Sequence, residues 1–124
     1  MGVQAVVDRV RELASSVGGV EPTIQFNYPV PQGYVELYRG LVHYDVDTTR
    51  WIRILTNGSE LVIESITQRG FDRVEQVIVT DSGVSVHLAE YHRDYVKESH
   101  EPGDLTPLMR VIYVLVKAMV GGGI

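Results

Sequence analysis

The chain has 124 residues, 44% of them hydrophobic and 22% charged, with a formal charge of −5 and no cysteine. That length suits a single domain over residues 1–124 with a core large enough to need no disulfide or metal, and the missing cysteine excludes thiolate zinc sites and cysteine nucleophiles. The acidic balance argues against a surface basic all over, yet nine of the eleven basic residues are arginine, which forks onto carboxylate or phosphate and stacks on flat rings.

Val3, Val6, Val7, Val10, Leu13, Ala14 and Val17 recur at helical spacing, with Asp8, Arg9, Arg11, Glu12 and Ser15 on the other side, and predict an amphipathic helix stopped by Gly18 and Gly19. The charges within it interrupt any apolar run, so a signal peptide is not indicated and the cytoplasm is the default expectation. After Glu21 and Pro22, the alternation of Ile24, Phe26 and Tyr28 with Gln25 and Asn27 predicts a half-buried strand, and Pro29, Pro31 and Gly33 force a turn. Residues 34–46 read as strand, with Gly40 marking a bulge, a bend or a turn between two strands.

Asp45, Asp47 and Thr48 form a polar loop before a strand over 50–56, which reads Arg-Trp-Ile-Arg-Ile-Leu-Thr. Asn57-Gly58 is the strongest local signal, because both central positions of a type I′ hairpin turn require positive φ. A two-residue turn there places Ile54 opposite Leu61 and Ile52 opposite Ile63 on one face, with Arg53 opposite Val62 and Trp51 opposite Glu64 on the other. Arg69-Gly70 turns the chain again, and 74–80 pairs with 84–91 across Asp81-Ser82-Gly83.

Residues 91–103 read as a polar connector. Thr106 then caps a helix with Pro107 at its first position, running to about Val120 and ended by Gly121, Gly122 and Gly123. This helix is too short for a bilayer, which needs roughly 20 apolar residues, so no membrane contact is expected. Only Arg110, Tyr113 and Lys117 interrupt its apolar surface, so it must bury more than one side: against the sheet and a second subunit, or against the sheet and the first helix. The order of elements gives an α+β fold: an N-terminal helix, an antiparallel meander of five or six strands and a C-terminal apolar helix.

Catalytic signatures are absent. His92-Arg93-Asp94 matches three letters of a kinase catalytic loop but lacks every companion motif, and no serine sits in a nucleophile elbow. His87, Glu90 and His92 are metal-ligand types, but strand alternation sends the two histidines to opposite faces, so neither a metal nor any other cofactor is expected. The carboxylate pairs Asp45/Asp47 and Glu60/Glu64 read as solvated, the second answering Arg53 across the hairpin.

What remains is ring and guanidinium content along the strands. Phe26, Tyr28, Tyr38 and Trp51 could stack planar groups, while Arg39, Arg50, Arg53, Arg69 and Arg73 could track phosphates, the requirements of single-stranded nucleic-acid binding. On Phe26, Tyr38, Arg50, Trp51 and Arg53, and on the helix, sheet, helix order, the chain resembles the archaeal ThermoDBP-related single-stranded DNA-binding proteins. That resemblance implies a homo-oligomer holding unpaired bases against aromatic rings in a cleft rimmed by arginines. The expectation is therefore a non-enzymatic binding module for single-stranded DNA. A protein-interaction or assembly subunit is the alternative, and a small-molecule pocket protein enclosing His87 or Tyr91 is the third reading.

Overall fold

The computed structural model describes residues 2–18 and 24–121. Helix α1 spans Val3–Val17, and six strands follow, β1 (Val35–Tyr44), β2 (Thr49–Thr56), β3 (Leu61–Gln68), β4 (Asp72–Thr80), β5 (Gly83–Tyr91) and β6 (Val96–Ser99). A 3-10 turn at Pro102–Asp104 leads into α2, Pro107–Gly121. The strands form one antiparallel meander in the order β1-β2-β3-β4-β5-β6, so every connection is a short turn and the fold class is α+β. Among the described residues no helix is long and apolar enough to cross a membrane. The expected helix stops at Gly19, Gly122 and Gly123, and the Glu21-Pro22 link, lie outside the described residues.

Both helices lie on one face of the sheet, α1 over β1 and α2 over β4 and β5, and they touch each other. Alternation puts Ile52, Ile54, Leu61, Ile63, Val77, Val86 and Leu88 on this face, where they meet Val6, Val7, Val10 and Ala14 of α1 and Met109, Ile112 and Val116 of α2. Gly18 ends α1 with its N–H on the Ala14 carbonyl, 3.0 Å away, and a Cβ there would strike the Val42 backbone, so only glycine lets the helix end rest on β1.

Three local expectations are corrected. Ile24, Phe26 and Tyr28 do not join the sheet: residues 25–31 have no ladder pairing, and the sixth strand is β6, which lies inside the stretch read as a polar connector. The prolines at 29 and 31 explain the first point, since proline has no N–H to offer a ladder.

The β2–β3 register is shifted by two residues. Thr56 pairs with Leu61, Ile54 with Ile63, Arg53 with Glu64 and Trp51 with Ile66, leaving a four-residue loop over 57–60. The Asn57 side chain accepts the N–H groups of Ser59 and Glu60, each at 2.9 Å, and of this loop only Gly58 takes positive φ, 92°, so the type I′ turn does not form. An even shift preserves the faces and changes the partners, which sets Glu64 directly across from Arg53.

Gly40, finally, does not divide the strand. β1 runs through it, with the register shifts on either side, between Glu36 and Tyr38 and between Leu41 and His43. The Tyr38 ring lies over Gly40 in the space a Cβ would take.

Candidate functional site

The sheet face opposite the helices carries Trp51, Arg53 and Leu55 of β2 beside Val62, Glu64 and Ile66 of β3, all buried. The 24–34 segment crosses over Trp51 and Arg53 as a strap. Its Phe26 ring meets Trp51 edge-on with centroids 4.9 Å apart, and the guanidinium carbons of Arg39 and Arg53 lie 4.7 and 5.3 Å from the same ring. Arg53 Nη1 donates to the carbonyls of Tyr28 and Pro29, both at 3.3 Å. The Tyr28 hydroxyl donates to Asp72, and the Tyr34 hydroxyl to Glu60. Burial, and then the hydrogen bond to Asp72, push the Tyr28 phenol well above its ordinary value, so it stays protonated across the usual alkaline range.

On the same sheet face a polar row crosses four strands. Arg53 Nε donates to Glu64 Oε1 at 2.5 Å, Gln76 Nε2 donates to Glu64 Oε2 at 2.8 Å, and Gln76 Oε1 lies 3.2 Å from His87 Nδ1. Because Gln76 spends its amide N–H on Glu64, its oxygen must accept, which fixes the His87 proton on Nδ1. His87 Nε2 then faces Glu98 at 3.6 Å. Glu64 answers Arg53 as the sequence implied, but in the interior and not on a solvated face: the two side chains are 6% and 4% exposed.

The nine residues expected to bind nucleic acid fall in three places. Phe26, Tyr28, Arg39, Trp51 and Arg53 gather on the strapped face, where Trp51 and Arg53 are sealed and Arg53 is neutralised. Arg50 and Arg69 share an open cleft of about 310 Å³ at the end of the sheet with His43, Asp45, Asp47 and Thr48, where acids match bases. Tyr38 and Arg73 sit on the helix-covered face, Tyr38 packed against the core and under Arg11, and Arg73 paired through Nη1 with Glu90 at 2.5 Å. No common surface unites them. Sequence alternation separates faces within one strand but does not say which faces of different strands coincide, nor what crosses over them.

Other groups escaped the sequence reading. At the same end of the sheet His92 is sandwiched between Phe71 and Tyr95, with centroid separations of 4.2 and 4.4 Å, and its Nε2 lies 2.9 Å from Glu90. The turns that bring these rings together, after β3 and after β5, are adjacent only in the folded sheet. The hydrogen bond from His92, and then Arg73, hold the Glu90 carboxyl below the usual range. His87 and His92 do lie on different faces, with separate partners.

Glu75, on β4 and fully buried, accepts the backbone N–H of Thr106 at 2.7 Å and sits 3.6 Å from Arg73 Nε. Thr106 occupies the cap position, since its carbonyl accepts the N–H of Arg110 at 2.8 Å, but its hydroxyl has no hydrogen-bond partner. The capping carboxylate comes from the sheet instead, an interaction at long range that no local motif announces.

The outward side of α2 is open and mostly apolar, with Arg110 and Lys117 exposed beside the apolar residues. Pro107, Val111, Val114, Ala118 and Gly121 are all exposed, Val111 by 52% and Val114 by 60%. Beside this stripe lies an open groove of about 420 Å³ between the helices, lined by Arg9, Glu12, Leu13, Ser16, Val111 and Leu115. Neither this groove nor the cleft of about 330 Å³ at the far end of the sheet, nor those beside β6 and Arg50, is lined by His87 or Tyr91. Compared with known proteins, the chain matches no protein-family model, no curated protein and no solved structure.

Proposed function

We propose that the chain is a non-enzymatic protein-interaction module that assembles with a second copy of itself through the outer surface of α2. The observation that carries this reading is the exposed series 107, 111, 114, 118, 121, whose alternating spacing of four and three is the seam of paired helices. Val111 and Val114 supply the branched contacts, and Ala118 and Gly121 allow a close approach of the backbones at the C-terminal end. α1 covers only part of α2, and the apolar stripe continues into the groove beside Leu13 and Leu115.

Sedimentation equilibrium tests it. The wild-type chain should form dimers or larger assemblies at micromolar concentration, and Val114→Glu should be monomeric with an unchanged circular dichroism spectrum. A wild-type chain that remains monomeric throughout refutes the proposal.

A second reading keeps single-stranded nucleic acid and moves it to the end of the sheet. The free outer faces of the Phe71–His92–Tyr95 stack favour it, with Arg69 and Arg93 exposed in the adjoining turns and without ion pairs among the described residues. Anisotropy of a labelled oligothymidine should then rise on titration at low salt and fall for Arg69→Glu/Arg93→Glu. No binding at low salt removes this reading.

A further inference from the structure

We propose that the outer face of β1–β4 is a receptor groove for an extended aromatic-x-aromatic-Pro peptide, and that the strap over 24–34 is a resident copy of that ligand which a partner's segment displaces. The inference is independent of self-assembly through α2, because it concerns the opposite face of the sheet.

The strap defines the recognition chemistry. Phe26 fills the slot made by Trp51, Arg39 and Arg53, Tyr28 reaches Asp72, and the carbonyls of residues 28 and 29 take the Arg53 guanidinium. Phe-Asn-Tyr-Pro is therefore read by two ring positions and by the backbone between the second ring and the proline. An aromatic slot beside a donor that takes main-chain carbonyls is a general means of holding proline-bearing extended chains.

The strap is also attached in a way that permits exchange. It contributes no ladder pairing to the sheet, Gln25, Asn27 and residues 29–33 are exposed, and the Phe26 ring, the Tyr28 hydroxyl and the carbonyls of residues 28 and 29 are fixings that an equivalent peptide can reproduce. β2, by contrast, is paired along its whole length on both sides.

Peptide suits the groove better than nucleic acid. Arg53 already faces Glu64 at 2.5 Å and Glu36 at 3.9 Å, and Asp72 lies at the Tyr28 end, so a phosphate would enter a site lined with carboxylates whereas a neutral carbonyl finds a donor. The tethered strap competes at an effective concentration in the millimolar range, so the wild-type chain binds a free peptide weakly and loosening the strap strengthens binding.

Trp51 is the sole tryptophan and reports on the slot. The experiment titrates a synthetic peptide of residues 24–33, Ile-Gln-Phe-Asn-Tyr-Pro-Val-Pro-Gln-Gly, into Phe26→Ala/Tyr28→Ala and follows Trp51 emission. The variant alone should show red-shifted, more quenchable emission, and the peptide should restore the blue position with affinity at least about tenfold above that for wild type. A peptide with both rings replaced by alanine should do nothing. Should the double variant lose its circular dichroism spectrum, Tyr28→Phe, which removes the strap's hydroxyl and leaves Asp72 for the peptide's tyrosine, serves instead: acrylamide quenching of Trp51 and peptide affinity must both increase. An unchanged Trp51 signal in a folded variant, equal binding of the ring-less peptide, or restoration by oligothymidine in place of peptide overturns the proposal.

Discussion

Glu64→Ala tests how the buried face is held together. Arg53 and Glu64 are 4% and 6% exposed with a nitrogen–oxygen separation of 2.5 Å. At an effective dielectric of about 20, unit charges about 4 Å apart attract by about 4 kcal/mol. Removing Glu64 deletes that attraction and leaves Arg53 desolvated, with two carbonyls at 3.3 Å and Glu36 at 3.9 Å as its remaining partners. Gln76 loses its acceptor as well.

The expected cost is about 3–5 kcal/mol, which is a large share of the roughly 5–15 kcal/mol by which domains are stable. With a urea slope of about 2 kcal/mol per molar, the unfolding midpoint should fall by about 2 M. The partner test is Arg53→Met/Glu64→Leu, which removes both charges and replaces them with apolar volume, and it should recover most of the loss. Urea melts of the wild type, Arg53→Met, Glu64→Leu and the double variant close the cycle. A Glu64→Ala cost under about 1 kcal/mol, or a double variant no more stable than the summed singles, refutes the claim that a desolvated ion pair organises this face.

Three further outcomes follow from single contacts. Glu75→Leu leaves the Thr106 N–H and Arg73 Nε without a carboxylate and should cost about 3–5 kcal/mol in urea melts, with Glu75→Gln losing clearly less because it keeps an acceptor for the helix end. Gly40→Ala should destabilise the wild type because its methyl displaces the Tyr38 ring, yet stabilise a Tyr38→Ala background by about 0.5–1 kcal/mol through the reduced entropy of the unfolded chain. The folded-state pKa of Glu90 is depressed, so its contribution is complete above the ordinary glutamate value and disappears as pH falls through the lowered one. Glu90→Gln should therefore melt below wild type near neutral pH, and the two thermal midpoints should converge in strong acid.

The chain by itself determined much of this protein. Val6, Val7, Val10 and Ala14 at helical spacing, the apolar run from Leu108 to Val120, and the alternation of Ile52 and Ile54 with Trp51 and Arg53 specify two helices and the two faces of a sheet, because periods of 3.6 and two are local consequences of backbone geometry. Short polar turns between the strands specify a meander for the same local reason. Only the tertiary structure decided which side chains meet. Whether Trp51 is wet depends on a segment some twenty residues away that passes over it, and whether Arg53 is paired or free depends on a loop of four residues that sets Glu64 across from it. Burial and pairing are properties of contacts between distant parts of the chain, and no local pattern encodes the path by which a proline-bearing strap crosses a face it cannot join.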